Sequence, residues 1–214
     1  MQIDLRVLEL LSSKLCHDLV SPVSAINNGV ELIEEIGGSV VEEAMKLIGN
    51  SADHAARRLK LFRMAYGRAG SEENLSIRDA RQVAMGYVEG GKITLHWPEE
   101  ALAESFAAQR GALKTLINLV ILGEEVLAYG GTLTLRGAAA PDLFGCRLEI
   151  TGRNAQLTPS FQDALTGVTL VEELTPRSIQ PYITGKFAAS FGLTVRHEHP
   201  APDRLDIILG KMAE

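Results

Sequence analysis

The sequence predicts an α + α/β protein: an N-terminal helical hairpin that forms a dimeric four-helix bundle, followed by a C-terminal α/β sandwich with a helix layer over one mixed sheet. Three observations carry this. Apolar residues recur every three or four positions through the first seventy residues and cease to do so afterwards. Strong breaks fall at Gly37-Gly38-Ser39 and over residues 67–71, which read GRAGS, so the chain divides into 1–70 and 71–214. Beyond that division, apolar runs of strand length alternate with segments of helix length.

In the first helix the stripe runs Leu8, Leu11, Leu15, Leu19, Val23, Ile26, Val30, Ile33. Pro22 removes one i to i−4 hydrogen bond and is expected to interrupt and kink this helix. The second helix carries Val41, Met45, Ile48, Ala52, Ala55, Leu59, Phe62 and Tyr66, with spacings that alternate four and three, a heptad seam. The glycine break between them makes an antiparallel hairpin. Two helices cannot enclose both stripes and the flanking rows at Val7, Val20, Ala44 and Ala65, so a homodimer is expected to complete a bundle. Packing of the hairpin on its own C-terminal segment is the competing arrangement. In residues 71–214, helices fit 77–89, 108–127 and 176–191, with a short one near 160–165. Strands fit 92–97, 132–136, 147–151, 193–198 and 204–209.

Composition narrows the function classes. The 214 residues include 21 Lys plus Arg and 27 Asp plus Glu, a net charge of −6. The first segment holds 8 basic and 9 acidic side chains and the second 13 and 18, so the acidity lies mainly in the second. An acidic chain has no general attraction for nucleic acid or an anionic membrane, and neither is expected as a partner. No apolar run approaches the ~18 residues that span a bilayer. The opening MQIDLRVLEL lacks the basic start and apolar stretch of a signal peptide, and Cys16 and Cys146 form no metal pattern. These features predict a cytoplasmic protein with reduced thiols.

One residue stands out by position. At about 100° per residue, with Leu15 at zero, the apolar stripe of the first helix lies within about 80°, and His17 falls at about 200°. Ser13, Lys14, Ser21, Ser24 and Asn28 surround it there, small or polar residues that leave the imidazole open to a partner. If the hairpin turns near Gly38, His17 lies level with Leu59, close to Arg57, Arg58, Lys60 and Arg63. Such a basic collar would attract an acidic surface, or it is an ordinary solvated face. His54 lies off the seam and receives no role. His197 and His199 share one face of a predicted strand without a third ligand, and read as a solvated face.

The string His17-Asp18-Leu19-Val20-Ser21-Pro22 resembles the H-box of bacterial histidine kinases: His, acidic, two variable residues, small polar, Pro. The resemblance implies that His17 is a phosphoacceptor. A neutral imidazole nitrogen is a good nucleophile near pH 7. Asp18 could hold its tautomer or accept its proton, or be a solvated carboxylate. Lys14, one turn earlier, could neutralise phosphoryl charge or be a solvated lysine. Ser21 could bond phosphoryl oxygens or the helix carbonyl before Pro22.

The layout of residues 71–214 resembles the ATP-binding domain of the same kinases, but its nucleotide motifs are missing. Of two Asn residues that hold magnesium and phosphates in that family, Asn118 remains and the position four later is Leu122. The Asp-x-Gly-x-Gly motif is replaced by Ile150-Thr151-Gly152-Arg153-Asn154. The Gly-rich lid is replaced by Leu174-Thr175-Pro176-Arg177-Ser178-Ile179, which offers no glycine cradle of backbone N–H groups. A phosphoacceptor hairpin joined to a degenerate ATPase domain resembles the ChpT-type histidine phosphotransferases. Leu15-Cys16-His17-Asp18, Ser21-Pro22, Ala25-Ile26 and Arg63-Met64-Ala65-Tyr66-Gly67 carry the likeness most specifically. It implies a dimeric shuttle that accepts phosphate from the receiver domain of a hybrid histidine kinase and donates it to response-regulator receivers. No cofactor is expected on this chain, since the aspartate and Mg²⁺ come from the receiver. Lys14, His17, Asp18 and Ser21 would form the reacting patch. Ser13, Val20, Ser24, Arg57, Arg58 and Arg63 would meet the partner. An autophosphorylating kinase with a divergent ATP site and a non-catalytic dimeric scaffold are the competing functions.

Overall fold

The computed structural model describes residues 4–67, 75–138 and 144–211. Helix α1 (Leu5–Glu35) and helix α2 (Val41–Ala65) form the expected hairpin, joined by a short 3₁₀ turn at Gly38–Val40. The Asp4 side chain caps α1 by accepting from the Arg6 N–H at 2.9 Å. Glu42 and Glu43 in the first turn of α2 and Arg63 in its last complement the helix dipole. Gly29 lets the two helices approach closely: a Cβ there would lie 2.6 Å from Ile48 Cγ1.

Pro22 does not interrupt α1, which runs for 31 residues straight through it. The residue is buried; it leaves the Asp18 carbonyl without its i−4 N–H donor, and its ring crowds that same carbonyl.

The rest is a helix layer over a five-stranded sheet. Helix α3 (Ile77–Val88) opens on a capping box between Ser76 and Asp79. Strand β1 (Ile93–His96), helix α4 (Glu104–Ala108) and helix α5 (Ala112–Val126) follow, then strands β2 (Gly131–Gly137) and β3 (Gly145–Thr151). Helices α6 (Pro159–Thr166) and α7 (Ile179–Ser190) precede strands β4 (Leu193–Ala201) and β5 (Arg204–Lys211). The sheet order is β1-β2-β3-β5-β4, with β1 parallel to β2 and the other pairs antiparallel. One face is apolar and packs under the helices through Leu133, Leu135, Leu148, Ile150, Leu205 and Ile207. The other carries an ion-pair ladder in which Glu149 and Asp206 are bound by Arg136, Arg147 and Arg204. The two-layer architecture with a mixed sheet is therefore as the sequence predicts.

Two helix limits differ from expectation. The helix expected over 108–127 starts at Ala112, after Gly111, which adopts φ +78° as its N-cap; the Phe191 ring occupies the space a side chain there would need, so only glycine fits. The helix expected from residue 176 starts at Ile179, since Thr175 and Ser178 bond each other's backbone N–H groups in a turn first. Of the expected linker at 67–71, only Gly67 lies within the described residues.

The hairpin is neither free of the C-terminal layer nor fully covered by it. Leu61, Phe62, Met64 and Ala65 join the main core, and Leu15 and Leu19 pack against it. Val7, Leu10 and Leu11 pack on Ile179, Tyr182 and Ile183 of α7. Two of the flanking rows expected to need a partner, Val7 and Ala65, are thus covered within the chain, and Ala44 is buried in the hairpin. Val20, Val23, Val30, Met45, Leu47 and Leu59 remain exposed.

Helix α5 is the bolt between the two parts. Every residue from Ala112 to Gly123 is buried. Lys114 Nζ donates to the Gly67 carbonyl at 2.8 Å and lies over the Phe187 ring; burial pulls its pKa down. Asn118 Nδ2 donates to the Ala65 carbonyl at 2.9 Å, while its Oδ1 accepts from Gln180 Nε2 at 3.2 Å. Two side chains of α5 thus satisfy the carbonyl of the last α2 residue and that of Gly67 just beyond the helix.

Candidate functional site

His17 projects from the hairpin beside the end of α5. Its side chain is 89% exposed, the most open of the charged and titratable groups around it. Its Nδ1 lies 3.6 Å from Asp18 Oδ1. Asp18 itself is only 20% exposed, and its other oxygen, Oδ2, faces two cations: Arg58 Nη1 at 3.6 Å and Lys14 Nζ at 3.8 Å.

Those cations are held from the other side. Lys14 Nζ donates to Glu125 Oε1, and Arg58 Nη2 donates to Glu124 Oε1 at 3.2 Å. The Tyr87 hydroxyl donates to Glu124 Oε2, and the Arg58 guanidinium lies 5.2 Å from the centre of the Tyr87 ring. Arg58 Nε donates to His54 Nε2 at 3.3 Å. Three carboxylates and two cations thus alternate from α5 to the helix that carries His17. Burial pushes the Glu125 carboxyl upward in pKa against the pull of Lys14. Burial and the adjacent Glu124 push the Tyr87 phenol far up, so it remains a donor. Burial, reinforced by Arg58 and Arg57, lowers His54.

The structure brings together His17, Asp18, Lys14 and Arg58, and places Ser21 one turn further on. Ser21 lines a cleft of about 870 Å³ between the hairpin and the C-terminal layer, with Pro22, His54, Arg57 and Arg58 among its walls. Ser13, Val20, Ser24 and Arg63 are exposed along the hairpin. The basic collar is not uniformly free: Arg58 is tied inward to Asp18 and Glu124, and Arg57 Nη1 pairs with Glu89 at 3.4 Å. Lys14 is likewise engaged with Glu125 and is 13% exposed, so it is not the solvated lysine that is one of its two sequence readings.

Glu124, Glu125, Tyr87 and His54 were not identifiable as neighbours of His17 from the sequence. One signal did exist. Glu124 and Glu125 follow a long buried, mostly apolar run in the last turn of a helix, placing two carboxylates at its negative dipole end, an unfavourable place without cations nearby. Among the described residues no group of three or more His, Cys, Asp or Glu could hold a metal ion. His197 and His199 lie with ring centres 6.0 Å apart on β4. Cys16 is exposed and Cys146 buried, both as free thiols. No helix among the described residues is long and apolar enough to cross a membrane.

Residues 77–203 match the family described as the histidine phosphotransferase C-terminal domain. The chain belongs to the histidine phosphotransferase family. As a histidine phosphotransferase by family, it is 33% identical over 195 residues to the protein phosphotransferase ChpT of Brucella abortus (strain 2308), covering 91% of this chain and 90% of that protein. It also superposes on a bacterial phosphotransferase whose structure is known at 1.7 Å, with a TM-score of 0.78 and 30% identity over 98% of each chain. The fold likeness therefore takes in the hairpin as well as the matched C-terminal region.

Proposed function

We propose that this member of the family is a phosphorelay shuttle in which His17 takes a phosphoryl group from a receiver-domain aspartyl phosphate and returns it to another receiver aspartate. The observation that carries this reading is an exposed imidazole whose Nδ1 faces Asp18 Oδ1, which leaves Nε2 open to a partner. With the ring proton on Nδ1, the Nε2 lone pair attacks phosphorus in line. The N–P bond forms as the bond to the aspartyl oxygen breaks, and the receiver carboxylate leaves with its electron pair. Asp18 stabilises the positive charge the ring acquires. The reverse sequence loads a second receiver. The first receiver belongs to a hybrid histidine kinase and the second to a response regulator. Magnesium is supplied by the receiver, and this chain contributes positioning and charge.

In this reading residues 1–70 are the dimerisation and acceptor unit, and residues 71–214 a degenerate ATPase-like domain. Asn118 supports the second assignment, since it is fully buried and its amide is used by Ala65 and Gln180. The exposed apolar residues of the hairpin support a homodimeric four-helix bundle, in which Val23, Val30, Met45 and Leu59 would cover their counterparts. Ser13, Val20, Ser24, Arg57 and Arg63 border the receiver's approach.

The test is transfer of label from a phosphorylated hybrid-kinase receiver to the purified protein, with ATP alone as control. The expected product is an acid-labile, base-stable phosphate, absent in His17→Gln, with the dimer intact because the ring lies off the seam. Label from ATP alone would make the protein a kinase. No label from any of several receivers would leave a scaffold.

A further inference from the structure

We infer that Glu124 and Glu125, the two carboxylates at the end of α5, are positioning residues for the transfer step: they hold Arg58 and Lys14, and those cations hold Asp18 with its Oδ1 turned to His17. The inference rests on the reading of His17 above and adds to it the residues that set the ring's orientation from the other part of the chain.

The geometry is specific to the two oxygens of Asp18. Both cations approach Oδ2, and the oxygen left over, Oδ1, is the one beside His17 Nδ1. A short side chain fixed at one carboxylate oxygen has little freedom at the other. The cations in turn are not free to wander. Arg58 is held at once by Glu124, the face of Tyr87 and His54, and Lys14 by Glu125. Glu124 has its own support in the buried Tyr87 hydroxyl. The chain of contacts therefore runs Tyr87, Glu124, Arg58, Asp18, His17, from α3 and α5 across α2 to α1.

The placement is costly in a way that calls for a reason. Two carboxylates at a helix C-terminus oppose its dipole. Glu125 Oε2 is buried without any hydrogen-bond partner. For partly buried ion pairs such as these, the cost of desolvation offsets much of the Coulomb gain, and α5 is already fastened to α2 by Asn118 and Lys114. A second fastening at this level does what the first does not: it reaches the residue next to the nucleophile. Misorientation of a reacting group by about 1 Å costs on the order of a hundredfold in rate, so an anchor three contacts from His17 can matter without touching the substrate.

The experiment measures receiver-to-protein transfer for the full-length wild type, Asp18→Asn, Glu124→Gln and the double variant, separating the maximal transfer rate from the receiver concentration that half-saturates it. Glu124→Gln is expected to lower the maximal rate by about tenfold or more, with half-saturation and dimerisation unchanged. In the Asp18→Asn background the same substitution is expected to do nothing further, because its effect runs through Asp18. Tyr87→Phe keeps the ring under Arg58 and removes only the hydroxyl on Glu124. It is expected to slow transfer several-fold with Asp18 present and not at all without it, and it serves if Glu124→Gln fails to fold. A Glu124→Gln rate equal to wild type, or effects that multiply in the double variant, would overturn the inference and leave His17 as the acceptor. A wild type that accepts no phosphoryl group would instead overturn the reading beneath it.

Discussion

At the end of the hairpin beside the C-terminal layer, Leu61 and Ala65 are sealed from solvent, and Leu15 and Leu19 pack on the same core. From Val20 round the turn to Leu59, the same three-four period leaves Val23, Val30 and Met45 open. Leu15, Leu19 and Phe62 at the near end belong to that pattern, whereas Leu61 and Ala65 are buried from positions off the stripe while the stripe residue Leu59 is exposed. Most of the near end finds its cover within the chain, from α5 and α7, although Leu8 stays half exposed; the far end is largely uncovered. A heptad stripe states that a face will be buried and is silent about what buries it.

The comparison can be broken first at the near end. Leu61→Ala empties a site with no exposure, and is expected to cost about 2–5 kcal/mol, read as a lowered unfolding midpoint in denaturant. A loss below 1 kcal/mol would mean that the near end is not the anchored one. Leu59→Asp probes the far side, where Leu59 is 53% exposed. Little intrachain packing is at risk, so thermal stability of the isolated chain should barely move. A charge placed in the proposed seam should weaken self-association by about a hundredfold, since burying an unpaired carboxylate costs several kcal/mol. Sedimentation at graded concentrations checks this, and an unchanged dimer would remove the basis for the bundle.

The smallest effects sharpen the contrast within the hairpin. Gly29→Ala puts a Cβ 2.6 Å from Ile48 Cγ1 and 3.3 Å from the Ala44 carbonyl, so the helices must part, at about 1–3 kcal/mol. Gly49→Ala meets nothing within 4 Å and should gain about 0.5–1 kcal/mol from helix propensity. Thermal unfolding compares them. If Gly49→Ala destabilises instead, and does so only at concentrations where the protein associates, a partner helix packs there as closely as α2 packs on Gly29.

Much of the local order was legible. Five strands and the main helices follow from alternation and period, and β1 to β5 fall where the apolar runs place them. The exposure of His17 followed from a helical wheel, because angular position on a helix is a local property. That position 111 must be glycine was not legible, since the ring that fills the space beside it belongs to Phe191, eighty residues away. Nor was the environment of Lys14 and Arg58. Each looked like a cation on an outer face, and each turned out to be bound by a glutamate more than sixty residues distant.

The amino-acid sequence by itself determined the hairpin, its register, the order of strands and helices, and which histidine stands apart from the apolar stripe. These depend on spacing along the chain, and spacing is what a sequence records. Only the tertiary structure decided that α5 clasps the end of α2, that Asp18 is held between two cations, and that half of the hairpin is covered within the chain. Those outcomes depend on distances between segments whose separation along the chain carries no information about their separation in space.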